Sequence, residues 1–317
     1  MERDELIKQC KRFFNCETIF DCQDLLNIYI EFFFQAVLKH HDENVYSREN
    51  ADAKILIQMM MTKALHLKNV LNGVDYVSQD GRVLNNIIDP TIVASLIRNV
   101  YETTGMFNLI YRNTSNKDEK HILYLLWVHA GLSYRQLFDE IITTEENRKK
   151  SEDEKKYMES IQAEIEKKPL FMKLDDKNKG KIKTKIKKRD YLLRFENEQV
   201  VFLNWRELTK TMEIKNGKLD HAYAYFSLYS HPSNVSVFQF ANMFEKNKES
   251  YPHLVTYNLQ IAFFMFSVFI ADYINLFPTV LKTYEEMGLV EQIVINYHNS
   301  FARGDEYDIN DSWKATQ

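Results

Sequence analysis

Arg98 and Glu102 stand four residues apart inside an otherwise apolar stretch, TIVASLIRNVYETTGMF, of a 317-residue sequence. An unpaired charge on a face that packs against apolar neighbours is costly, so the spacing predicts that the two pair. The pair fits either a helix surface or a buried polar cluster. More than a hundred residues later, LDHAYAYFSLYSHPSNVSVFQF (219–240) supplies the group that would complete a cluster. His231 precedes Pro232, which pushes it out of the α region and ends the helix there. An imidazole in that place can cap the last carbonyls at the negative end of the helix dipole. It can also act as a general acid/base, with Arg98 as the ligand of an anion. Tyr225, Ser227 and Tyr229 are the hydroxyls expected to join them.

Other chemistry is excluded by pattern. The sequence contains no G-x-x-x-x-G-K-[ST], no G-x-G-x-x-G, no H-E-x-x-H and no G-x-S-x-G. With only eight glycines, loops that let backbone approach a phosphate are scarce. His121 and His129 lie eight apart, and His40 with His41 ends another stretch. Neither pair has companion ligands at a recognised spacing, so no metal and no cofactor are expected. Cys10, Cys16 and Cys22 lack C-x-x-C spacing and read as reduced thiols.

A second candidate is electrostatic. Between residues 173 and 189, nine Lys or Arg stand against Asp175 and Asp176, a local +7 in a chain of net −4. Lys173 opens this run and Arg189 closes it, and Lys181, Lys183, Lys185 and Lys187 alternate through it. The lysines could neutralise phosphates of a nucleic acid, or the run could be a solvated insertion. No aromatic is interleaved, which argues against base stacking by the run itself. The alternation with Ile and Thr has a period of two, which suggests an edge strand or a mobile basic loop.

The elements that must position these groups are helices. Few glycines and prolines beside 45% hydrophobic residues predict an all-α chain, a helical bundle with a large core. Residues 18–39 read as one buried helix, and Ser47 starts a second that Gly73 ends. Asp89-Pro90 is a strong start signal for the Arg98 helix, with Ile92, Ser95, Leu96, Asn99, Val100 and Thr103 along one side. Ser115 and Asn116 can cap the next helix. Residues 72–89 form a polar connector with a turn at Asp80-Gly81. Residues 144–168 are charged at nearly every position, an exposed helix broken by Pro169, so 144–189 reads as a charged insertion in a single domain spanning 1–317. The apolar run 254–271 is just long enough to cross a bilayer, but Asn258, Gln260 and Ser267 make it a buried core helix instead. The charged N-terminal stretch lacks a signal-peptide pattern, which places the chain in the cytoplasm, and 302–317 is expected to fray.

The helix IRNVYETTGMFNLIYRN followed by YFSLYSHPSNVSVF resembles a bacterial family of helical domains of unknown function. Its marks are Arg-x-x-x-Glu and Ser-x-x-x-His-Pro-Ser, here Arg98, Glu102, Ser227, His231, Pro232 and Ser233. That family is similar to the helical nucleotide-binding domains of higher eukaryotes and prokaryotes, many of which are ribonucleases of toxin and antiviral systems. Their site, an Arg followed after four to six residues by His on one helix, has no counterpart here. The leading expectation is an interaction protein or a defence or toxin-type module, with a polar pocket at Arg98, Glu102 and His231 and a protein partner or second copy. The alternative is a metal-independent ribonuclease or nucleotide-processing enzyme using His231 as acid/base.

Overall fold

The computed structural model describes residues 2–242 and 250–316. Among them the chain forms fourteen α-helices and two small antiparallel hairpins, so the fold is all-α. In order these are α1 (Arg3–Asn15), α2 (Ile19–His40), α3 (Arg48–Val70), β1 (Val74–Val77), β2 (Val83–Ile87), α4 (Pro90–Phe107), α5 (Lys117–Arg135), α6 (Glu145–Glu166), α7 (Pro169–Lys173) and α8 (Asp176–Lys187). They continue with β3 (Leu193–Glu196), β4 (Gln199–Phe202), α9 (Leu208–Thr211), α10 (Ala222–Ser230), α11 (Asn234–Asn242), α12 (Ser250–Leu276), α13 (Leu281–Glu285) and α14 (Leu289–Ala302). Contacts gather them into two compact units. One runs to Asn108 and resumes at Thr209; the other is Leu109–Leu208.

The first unit is built on α12. Its sequence is apolar on every side, so it can be stable only when surrounded, and α2, α4 and α14 pack around it. Phe263, Phe266 and Phe269 are fully buried, each worth about 1.5–3 kcal/mol relative to exposure. Phe107 of α4 lies 4.8 Å from the Phe269 ring, and Phe33 of α2 meets Phe266 edge-on at 5.7 Å. The helix is long and apolar enough to cross a membrane, yet 72% of its apolar window is buried inside the structure.

Two clusters of buried polar side chains lie within this core. Asp272 receives both Nη groups of Arg303 at 2.8 Å, and Asn108 Nδ2 donates to the same carboxylate. Arg303 Nε donates to the Met212 carbonyl, so that one guanidinium joins α12, α14 and the chain after α9. Tyr29 Oη lies 2.7 Å from Ser267 Oγ and 2.8 Å from His298 Nδ1. Burial pulls the His298 imidazole down to about 3, which keeps it neutral.

Two sequence expectations for this unit change. The polar connector is the β1–β2 hairpin, turned at Gly81 and entered through Gly73 at φ +73°, where a Cβ would collide with Asn86. The tail does not fray through residue 316. Asn296 donates to the Asn310 carbonyl and accepts from the Ile309 N–H, Asn299 donates to the Tyr307 carbonyl, and Arg3 reaches the Thr316 carbonyl. Side chains on α14 thus replace the backbone partners that a short polar segment cannot supply itself.

In the second unit α5 packs with α6, α7 and α8, and α8 carries the β3–β4 hairpin. α6 is charged and largely exposed, with Ile161 and Ile165 as its buried stripe. The 144–189 run lies entirely within this unit. Its lysine-rich part is neither strand nor loop: α8 is a helix whose N-cap, Asp175, accepts from the Asn178 N–H at 2.7 Å. Asn178, Ile182 and Lys185 are its buried positions, a spacing of four and three. The alternation of lysines concealed this helical face.

Candidate functional site

α4 starts where Asp89 accepts from the Thr91 N–H at 2.7 Å, with Pro90 at its first position. Its core face is Val93, Ala94, Ile97, Val100, Tyr101 and Thr104, which lies beside the expected one, and Ile92 and Asn99 are exposed. Arg98 and Glu102 therefore sit at the margin of the buried face, with side chains 21% and 26% exposed. α10 lies against this margin. Ala222, Phe226 and Tyr229 are buried in it, whereas Tyr223, Ser227 and His231 recur every four residues along another side. His231 caps the helix, its N–H donating to the Ser227 carbonyl.

Three groups hold one guanidinium. Arg98 Nε donates to Glu102 Oε1 at 2.9 Å, and Nη2 donates to Tyr223 Oη at 2.7 Å. Nη1 is 3.2 Å from His231 Nε2. The guanidinium carbon also stands 4.8 Å from the Tyr223 ring centroid, a cation–π arrangement. Guanidinium only donates, so His231 accepts at Nε2, which requires a neutral ring with its proton on Nδ1. On the far side of Glu102, Lys63 of α3 donates to Asn99 Oδ1. Burial pulls the Lys63 ammonium downward, and the Glu102 charge opposes that shift. A polar seam thus crosses α4 from α3 to α10.

The expected site residues divide. Arg98, Glu102 and His231 come together. Ser227 does not join them; its Oγ donates to the Tyr223 carbonyl one turn back. The Tyr225 and Tyr229 rings lie tilted against each other with centroids 4.9 Å apart, and Tyr225 meets Tyr257 edge-on at 6.2 Å. Burial, with the neighbouring Tyr229 hydroxyl, pushes the Tyr225 phenol well up. Tyr223, Lys63 and Asn99 were missed. The i, i+4, i+8 row of Tyr223, Ser227 and His231 was the available signal for the first, while Lys63 is joined only by tertiary packing.

The lysines of α8 divide too. Lys181 Nζ donates to the Val200 carbonyl and to Asn178 Oδ1, and Lys185, 4% exposed, pairs with Asp190 beneath the Phe202 ring. Both hold the hairpin to the helix and are not presented to phosphate. Lys183 is exposed and pairs with Glu166 at 2.9 Å; Lys187 is exposed. His121 meets Glu164, and His129 meets Ser133 and Gln162. Among the described residues no three His, Cys, Asp or Glu side chains gather as metal ligands would. Scans against protein-family models, curated proteins and solved structures each found no match.

Proposed function

We propose that this chain is an interaction module that recognises an acidic segment of a protein partner at the α4–α10 seam. The charge balance of the seam carries the reading. Arg98 and Lys63 flank a single carboxylate, Glu102, in a half-buried setting where a further anion would be only weakly screened. The guanidinium is fixed in orientation by Glu102 and Tyr223, and among the described residues three of its five N–H groups have protein partners. Two remain for a bidentate acceptor, the geometry in which arginine binds carboxylate best. Leu228 and, on α11, Val235, Val237 and Phe238 are exposed near His231 and supply an apolar margin of the kind interfaces use.

A second reading is a metal-independent ribonuclease, and the Arg98–His231 distance of 3.2 Å is the observation in its favour. An anion ligand would then lie beside a general base. The base lone pair, however, is the one that accepts from Arg98, so catalysis would require the two side chains to part first.

Fluorescence anisotropy of a labelled oligoglutamate peptide, run beside turnover of labelled single-stranded RNA, tests the two together. The interaction reading expects peptide binding by the wild type, roughly tenfold weaker or more in Arg98→Ala, as for a lost charged hydrogen bond, and no RNA cleavage. Cleavage that disappears in His231→Ala would overturn it in favour of the enzyme.

A further inference from the structure

The second unit holds a cavity of about 640 Å³ that the seam does not explain. This volume is in the range of small-molecule sites. One wall is a single face of α5: Trp127, Gly131 and Tyr134 follow each other at four and three residues, with Ala130 beside the glycine. Two aromatic side chains thus start roughly 10 Å apart along the helix, over a floor of small residues. That gap admits a planar ring. Tyr134 is 55% exposed, and among the described residues nothing lies within 4 Å of where a Cβ on Gly131 would be. The remaining wall comes from the C-terminal end of α8 and the base of the hairpin. Tyr191 and Trp205 meet edge to face there, with centroids 6.2 Å apart. Lys188 and Arg189 line the same cavity and are exposed. Asp190 also lines it, but its carboxylate is held by Lys185 and by the Leu192 N–H.

Basic residues at a helix C-terminus are ordinarily explained by the helix dipole. Two features here are not. Arg189 has φ +56°, and its N–H and that of Asp190 close the last turn onto the Ile186 and Lys185 carbonyls. Glycine is the residue favoured at that position, and any side chain there is strained. Gly131 lies inside a helix, where alanine is more stable, and no neighbour among the described residues requires its lack of a side chain. Both departures from local stability line the cavity: one keeps it open and the other adds a cation to it.

From these we infer that the cavity binds a nucleotide of a single-stranded nucleic acid, its base against Trp127 and Tyr134 and its phosphates on Lys188 and Arg189. Every base has a face that stacks on an aromatic ring, so the site should tolerate sequence, and the phosphate contacts should make it sensitive to salt.

The test is a titration of the full chain with fluorescein-labelled decauridylate, with UMP as the monomer control, and with Gly131→Leu and Arg189→Gly as variants. Gly131→Leu fills the cavity with a good helix former. It should weaken decauridylate binding roughly 5- to 150-fold, the loss of one stacked base, with the melting temperature held or raised. Arg189→Gly removes a cation and a strained backbone together. It should lower the salt dependence by about one phosphate, roughly 0.7 in the log–log slope, while raising the melting temperature. Decauridylate bound more tightly than UMP supports the strand. Equal affinity for the two would overturn it in favour of a free nucleotide. Absence of wild-type binding, or binding unchanged in both folded variants, would overturn the site.

Discussion

The guanidinium of Arg98 shows how a marginal position on a helix becomes a candidate site. On a fully exposed helix, Arg98 and Glu102 would contribute a few tenths of a kcal/mol. Here α10 covers them, and Tyr223 and His231 replace the water they lose. Tyr223→Phe separates structure from recognition, because it keeps the ring beneath the cation and removes the hydroxyl that accepts from Nη2. It should lower stability by about 1 kcal/mol, read from the urea midpoint, while peptide binding persists because Arg98 is still present. The sequence showed Arg98, Glu102 and His231 because each is out of place in its own stretch: two charges among apolar residues, and a histidine against a proline. It pointed to Tyr225 and Tyr229 instead of Tyr223 because aromatics at apolar-face spacing attract notice, and those two serve the core side of α10. Lys63 could not be read at all, since only the packing of α3 beside α4 brings it to Glu102.

At the scale of the element, α8 marks where local pattern misleads. Six lysines at alternate positions imitate a strand, yet the buried residues Asn178, Ile182 and Lys185 keep helical time. Lys185 is the unexpected one, because its ammonium is enclosed with Asp190 and the Phe202 ring. Lys185→Ala leaves Asp190 without that partner and should destabilise the second unit by about 1–3 kcal/mol. A lower melting temperature with unchanged decauridylate affinity is the expected result; the reverse would return this lysine to a phosphate-binding role. Helix boundaries were far easier to read, because Ser47, Asp89 and Asn116 each announce a start and each does cap a helix. The β1–β2 hairpin was hidden because its strands bury almost nothing and so carry no alternation.

For the whole molecule, composition was enough to state an all-α fold, and the apolar run of α12 was enough to name the centre of its core. The polar groups inside that core were not legible, because Asp272, Arg303 and His298 acquire their partners only through tertiary packing. His298 gives the core a pH signature. Its folded-state pKa lies below the unfolded value, so its contribution is complete above about pH 6.5 and declines as the pH falls towards 3. Between pH 7 and pH 5 the loss should be about 2 kcal/mol. His129, also shifted downward by burial, adds to the same trend. Urea unfolding of the wild type and of His298→Gln at both pH values should show a smaller loss in the variant; equal losses would show that His298 is not the source.

The most direct test of the interaction reading is the affinity of the labelled acidic peptide for wild type, Arg98→Ala and Arg98→Lys, measured at low and moderate salt. The bidentate arrangement predicts binding that falls roughly tenfold or more in Arg98→Ala, that lysine does not restore, and that weakens with salt. Equal affinity in all three proteins would contradict it, and would leave Arg98 as a tie between α4 and α10.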